Sequence, residues 1–349
     1  MRPGSVRATL VPALALFLAT ACSEGPATRL EDYLARVARP LGEEPPALAA
    51  TVVPRVPRAE AMQITIEADG IDGLDFLKLR GCAVQTTIAR RNSSLGRMAP
   101  PSQRLLLELA YLRDAPPCVR KLREESNEEL ADLLENSYAS KKEQLPALIF
   151  NATLGSREFR DFWRSPGTLG NYPAETSSAP ITALERINAL VGQWLSGDYT
   201  ADESVFELTL SEVANGDGGE LLEALTLQRE ALDQASSMAL KETMEGPLCD
   251  EGLIPASAPI LRTVATTYFI GRIQPWSAQL SQRYHTLLAP IEALERRVQP
   301  ALPPAYERWR LQRDASLAQG LAAPREHVRS LQTLLGSCYA EFAPAKDDS

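Results

Sequence analysis

Leu105-Leu106-Leu107-Glu108-Leu109-Ala110-Tyr111-Leu112-Arg113-Asp114-Ala115-Pro116-Pro117-Cys118 decides the fold class, because its apolar residues recur at three and four rather than at two. Leu105, Leu109 and Leu112 form a helical stripe leading to Cys118, and upstream Leu74, Leu77, Val84 and Ile88 flank Cys82 in the same period. A disulfide between these cysteines would clamp two helices together. Further helices are expected at 121–138, 156–163, 181–194, 221–240, 258–298 and 324–338. Pro275 and Pro290 should kink or divide the long one, and Pro300 to Pro304 should interrupt the C-terminal helices. His327 then falls in the first turn of a helix begun by Pro324, where a solvated face is its default.

At the other end of the domain, Thr28-Arg29-Leu30-Glu31 reads as a capping box ahead of Leu30, Tyr33, Leu34, Val37 and Leu41. Pro40, Pro45, Pro46, Pro54 and Pro57 then predict an extended, wrapping segment. Met62-Gln63-Ile64-Thr65-Ile66 alternates like a strand, but no convincing partner strand follows, so little or no sheet is expected. No fixed-period repeat supports a solenoid. The expectation is an all-α, irregular multi-helix domain over 29–343, possibly in two halves of about 29–170 and 180–343, with a flexible tail at 344–349.

The first 21 residues read as a secretory signal: Arg2 and Arg7 precede an apolar run from Leu10 to Ala19. That run falls short of the about 20 apolar residues a spanning helix needs. Ala19-Thr20-Ala21 is an Ala-x-Ala site, while Leu18-Ala19-Thr20-Ala21-Cys22 is similar to a bacterial lipobox. Parity separates the two routes. With Cys22 lipidated, Cys82, Cys118, Cys249 and Cys338 remain, an even set that can pair fully in an oxidising compartment. Lipidation of Cys22, with a short tether over 22–28, is therefore the expectation. Ser23 after the cysteine implies, by resemblance to other lipoproteins, delivery to the outer membrane facing the periplasm. Four cysteines allow three connectivities, of which Cys82 with Cys118 and Cys249 with Cys338 is favoured because it joins near neighbours in sequence.

Without residues 1–21 the chain carries 34 Lys and Arg against 45 Asp and Glu, a balance of −11, which disfavours nucleic acid as a partner. The charge is uneven. Residues 52–123 hold 12 basic against 7 acidic residues, so an anionic partner should meet this region first. Within it, Arg90, Arg91, Asn92, Ser93 and Arg97, followed by Ser102 and Arg104, form a candidate anion-binding cluster where two helices meet. The alternative is structural: Gly96 as a left-handed C-cap, Ser102 as the next N-cap, and the arginines paired to acids.

Enzyme signatures are sparse. There is no Gly-x-Ser-x-Gly elbow, His-Glu-x-x-His helix, phosphate loop or dinucleotide glycine pattern. His285 lies on a helix with an apolar stripe and suits a packing or boundary role. The cysteines lack a Cys-x-x-Cys arm, so no metal and no cofactor are expected. Asp72 and Asp75 could pair for acid hydrolysis, but Asp72 looks more like a helix N-terminal residue. Glu124, Glu125, Glu128, Glu129 and Asp132 read as a solvated face, and 215–219 as a turn rather than a calcium loop. Asn92-Ser93-Ser94 and Asn151-Ala152-Thr153 match the glycosylation sequon and are read as structural.

Several stretches together resemble the bacterial lipoproteins catalogued as domain of unknown function 3080: Pro54-Arg55-Val56-Pro57-Arg58, Leu74-Asp75-Phe76-Leu77, Cys82, Arg91-Asn92-Ser93-Ser94-Leu95-Gly96, Ser102-Gln103-Arg104, Cys118 and Asn151-Ala152-Thr153. The resemblance implies a lipoprotein compartment and the extent of the domain; it supplies no catalytic residue. The function expected is that of an accessory or scaffold protein contacting another envelope protein, anchored to the membrane by its lipid. A binder of an anionic envelope ligand, such as a lipid headgroup or peptidoglycan fragment, is the second reading, and an envelope hydrolase the third.

Overall fold

The computed structural model describes residues 25–66, 73–250 and 253–343. Cys22, the signal segment, Asp72 and the tail at 344–349 lie outside them, as does the side chain of Asp75. The fold is all-α, with no strand among the described residues and no helix long and apolar enough to cross a membrane. The principal helices are α1 (Pro26–Ala38), α2 (Ala83–Asn92), α3 (Pro101–Glu124), α4 (Glu128–Ala152), α5 (Ala179–Leu195), α6 (Glu203–Ala214), α7 (Gly218–Met244), α8 (Ser257–Thr263), α9 (Gln274–Val298) and α10 (Pro304–Leu335).

The main core forms where α7 crosses α10. At that crossing Gly320 comes so close that a Cβ would lie 2.6 Å from the Leu225 carbonyl oxygen, so only glycine lets the backbones meet. Gln228 donates to the Gly320 carbonyl at 2.8 Å and accepts from Ser277 at 2.6 Å, satisfying the polar groups buried there. α1 lies across this pair through Leu30, Tyr33, Leu34 and Val37. It starts three residues earlier than the expected capping box, with Gly25 rather than Thr28 as N-cap and Pro26 in the first turn, where a proline loses no helical bond. Between α8 and α9 the helix widens into a π-helix over Val264–Ile273, which turns Phe269 onto Tyr33 and His327.

A second, smaller core sits in the α3–α4 hairpin. Leu79, Val84 and Ile88 pack on Tyr111, Leu122, Leu130 and Leu134, and the Cys82–Cys118 disulfide ties the start of α2 to α3. The other disulfide, Cys249–Cys338, closes the C-terminal region. The expected helix at 121–138 is divided, because Ser126 takes a positive φ of 57° between α3 and α4.

The proline segment wraps the main core, with Leu48, Val53 and Val56 packed against it. It is pinned where Trp309 donates to the Pro54 carbonyl at 3.3 Å. Trp309 belongs to a buried charge site. Arg313 is wholly buried and holds both oxygens of Glu295, at 2.8 and 3.2 Å, while Tyr306 donates to the same carboxylate at 2.7 Å. Trp163 and Trp309 cover the guanidinium at 5.2 and 5.1 Å.

His327 departs from expectation. α10 begins at Pro304 and runs through Pro324, so His327 lies in a helix interior and is completely buried. Its Nδ1 meets Ser236 Oγ at 2.9 Å and its Nε2 meets Tyr33 Oη at 2.5 Å. Burial holds the imidazole neutral, its pKa pushed down to about 3, and pushes the Tyr33 phenol up.

Two outcomes follow for stability. Replacing Arg313 by Met strands Glu295 and should cost about 3 to 5 kcal/mol, while adding Glu295→Leu should return most of that, read from denaturant midpoints. His327 binds its proton more weakly folded than unfolded, so its neutral form contributes fully above pH 6.5 and that contribution is lost as pH falls from 6.5 toward 3. His327→Gln should flatten the stability–pH curve across that window, where one such group accounts for up to about 1.4 kcal/mol per pH unit. Equal slopes in the two proteins would contradict this role.

Candidate functional site

Between the end of the proline wrap and the α3–α4 hairpin lies a cleft of about 680 Å³, within the range of small-ligand sites. One wall is the extended segment 63–66 together with Glu60. The opposite wall is Arg91 and Asn92 at the end of α2, Arg97 in the short helix Ser94–Arg97, and Arg104 on α3. Leu107, Glu108, Leu148 and Asn151 contribute from the two long helices. Four of the seven candidate anion-binding residues thus meet at one cleft: Arg91, Asn92, Arg97 and Arg104.

Their roles differ. Arg91 pairs with Glu108 Oε1 at 2.8 Å, and Lys141 takes Glu108 Oε2 at 2.7 Å. Glu108 and Lys141 are almost wholly inside the protein, and Lys141 also faces the Tyr111 ring at 5.0 Å. Two cations on one carboxylate leave the base of the cleft net positive, and a charge this deep must stay paired to be tolerated. Arg104 is a support: its Nε donates to the Ala99 carbonyl at 3.1 Å and its Nη2 to that of Arg97 at 2.9 Å. Arg97 is the exposed guanidinium that lines the cleft with no partner among the described residues.

Local geometry explains how Arg97 gets there. Ser93 caps the short helix, accepting from the Gly96 amide at 3.0 Å and donating to the Arg90 carbonyl at 2.7 Å. Gly96 is not a left-handed C-cap. It lies inside the short helix, over the end of α2, where a Cβ would sit 2.2 Å from the Arg90 carbonyl oxygen and 2.5 Å from that of Arg91. Ser102 is not an N-cap either; Pro100 holds that position and Ser102 is the buried second residue of the helix. Arg90 is exposed and lies outside the cleft. Leu95 and Met98 stand beside Arg97, each 85% exposed.

The other candidates lie elsewhere. His285 is exposed, edge-on to Tyr284 at 5.1 Å, in a shallow groove with Glu185 and Asn188. The acidic run from Glu124 to Asp132 is solvent-facing, with Asp132 accepting from Arg123 at 3.2 Å. In the 215–219 turn, Asp217 accepts from Tyr172 and Arg283, both at 2.8 Å, which occupies the carboxylate a calcium ion would need. Among the described residues no group of three or more His, Cys, Asp or Glu could hold a metal. Glu108, Lys141 and the segment 63–66 were not among the expected site residues. The alternation of residues 62–66 was their only signal in the sequence.

A methyl group at position 96 has no room against two backbone carbonyls. Gly96→Ala should displace the Arg97 turn and cost about 1 to 3 kcal/mol, measured by chemical unfolding. A variant as stable as the parent would show the close approach to be relaxed in solution.

Neither a curated protein nor a solved structure matches the chain. One family model does, over residues 30–341, with the description Protein of unknown function (DUF3080). That match takes in the wrap, both cores and both walls of the arginine cleft, and the chain belongs to the DUF3080 family.

Proposed function

We propose that this protein is an accessory binding protein of the cell envelope, and that the arginine cleft holds the anionic part of its partner. The observation that carries this is Arg97: a guanidinium on a turn held by Ser93 and Arg104, lining a cleft with a net positive base. Anion capture by a guanidinium whose backbone turn is already fixed leaves only its side chain to be ordered. Leu95 and Met98, exposed at its side, offer apolar contact to a protein partner beside the guanidinium. In this reading Cys22 carries the lipid that anchors the chain to the outer membrane, and the body faces the periplasm.

A second reading keeps the cleft and changes the occupant to a free anionic envelope ligand, a lipid headgroup or peptidoglycan fragment. The cleft volume favours it, being sized for one such group. Hydrolysis is the weaker idea, because both oxygens of Glu108 are engaged by cations, which leaves Glu60 as the other carboxylate of the lining, and no histidine lines the cleft.

The test is a photoreactive residue at Asn92 in the membrane-anchored protein in living cells, with adducts resolved by mass. A recurrent protein adduct that falls at least tenfold with Arg97→Glu, and persists with Arg90→Glu outside the cleft, is the expected result. Small lipid or glycan adducts with the same dependence would select the second reading. Adduct yields indifferent to Arg97→Glu would remove the cleft from the function.

A further inference from the structure

Residues 62–66 carry the alternation of a strand, and the structure honours it: Met62 is buried, Ile64 and Ile66 are half-buried, Gln63 and Thr65 are exposed. Gln63 is extended, at φ −65° and ψ 123°. No described residue pairs with the segment as a strand. Instead the buried side chain of Asn151 imitates one, its Oδ1 accepting from the Ile64 amide at 2.9 Å and its Nδ2 donating to the Ile64 carbonyl at 2.8 Å. One edge of the segment is thereby satisfied by a primary amide that reproduces the donor and acceptor of a neighbouring strand residue.

Among the described residues the other edge is open. In an extended chain the N–H and C=O of successive residues point to opposite sides, so those of Thr65 turn away from Asn151. Neither makes a hydrogen bond among the described residues, and Thr65 lines the cleft. The segment thus has one edge held by the protein itself and, among the described residues, one edge unpaired, in a cleft it shares with Arg91, Arg97 and Arg104. A short edge invites pairing while offering little to non-specific self-association.

We propose that residues 63–66 are a receptor edge for strand addition: an extended peptide segment pairs with the backbone of Thr65 and sets a carboxylate against Arg97. The proposal rests on the cleft being the binding site and names its ligand class, an acidic peptide in extended form. Charge complementarity selects that occupant, since the chain as a whole is acidic while Thr65 lines the same cleft as Arg91, Arg97 and Arg104. With only one residue pair available on the edge, main-chain bonds alone hold weakly; the carboxylate supplies the second attachment, and alternate side chains enter the cleft.

The test uses the chain from Ser23 onward, which keeps every described residue, with the blocked peptide acetyl-Thr-Val-Thr-Val-Glu-amide as probe. Three comparisons accompany it: the peptide with Gln in place of Glu, the peptide N-methylated at both valines, and the protein variants Thr65→Pro and Arg97→Gln. The expected result is slowed amide exchange at Thr65 with no change at Ile64, and binding at least tenfold weaker with Thr65→Pro, with the N-methylated peptide, or with Arg97→Gln. The N-methylated probe leaves the protein untouched, so its loss of binding stands even if Thr65→Pro perturbs the fold. A Glu peptide bound through Arg97 without slowed exchange at Thr65 would overturn strand addition and leave the cleft reading intact. Failure of every peptide to bind, with the Arg97-dependent adduct at Asn92 still formed in cells, would overturn it too. Protection of Thr65 without peptide, rising with protein concentration, would assign the edge to a second copy of the chain and equally refute the proposal.

Discussion

The constraint on which the molecule depends is the guanidinium of Arg313, which has no contact with solvent and so needs its charge and its hydrogen bonds answered inside the protein. Glu295 answers the charge from α9, Tyr306 completes the carboxylate, and Trp163 and Trp309 pack against the guanidinium. Glu295 stands on α9 and Trp163 directly after the short helix Arg157–Phe162, while Tyr306 and Trp309 share α10 with Arg313, so satisfying one residue sets these three elements relative to one another. The consequence reaches the cleft. Trp309 also takes the Pro54 carbonyl, which fixes the wrap eight residues before its strand-like end. The position of one wall of the site therefore traces back to a charge pair in the core.

Much of the helical content was legible because it rests on local periodicity. The Leu105, Leu109 and Leu112 stripe lies in α3, all three residues buried, and the Leu30, Tyr33, Leu34 and Val37 stripe lies in α1. What periodicity could not supply was the tolerance of prolines. Pro116, Pro117, Pro146 and Pro324 sit inside helices, where each removes a donor and crowds the carbonyl four residues back. Tertiary packing on both sides of α3, α4 and α10 outweighs that local penalty. Reading Pro324 as a helix start put His327 at a solvated end, whereas the uninterrupted α10 carries it into the core against Tyr33, Ser236 and Phe269. α6 was not anticipated at all, and its moderate amphipathicity is resolved only by α5 and the short helix packed beside it.

The site was legible in a similarly uneven way. Arg91, Asn92, Arg97 and Arg104 lie within fourteen residues, so their proximity is almost a property of the chain. Their division of labour is not. Glu108 reaches Arg91 through the packing of α2 on α3, and Lys141 reaches Glu108 across the hairpin; neither contact has a sequence signature. In the sequence Asn151 is marked only by its sequon, and residues 62–66 only by an alternation without a partner strand. Folding brings the two together, and each then accounts for the other: the strand lacks a partner strand because an asparagine side chain stands in for one.

What makes the cleft more than a gap between elements is how much of it is already ordered. The Cys82–Cys118 disulfide holds α2 on α3 at one end, and Gly96 lets the short helix settle on the carbonyls of Arg90 and Arg91 at the other. Arg104 then spans from α3 to the carbonyls of Arg97 and Ala99, so the turn that presents Arg97 is tied at both ends. On the facing wall, Asn151 removes the freedom of Ile64 in the same manner. Binding entropy is lost chiefly in ordering mobile groups. Here the side chains of Arg97 and Asn92 remain to be ordered on the basic wall, and the backbone of Thr65 stands beside its held neighbour. A weak two-point ligand, one carboxylate and one stretch of main chain, can therefore be recognised by a surface that would be too small if either wall had to form around it.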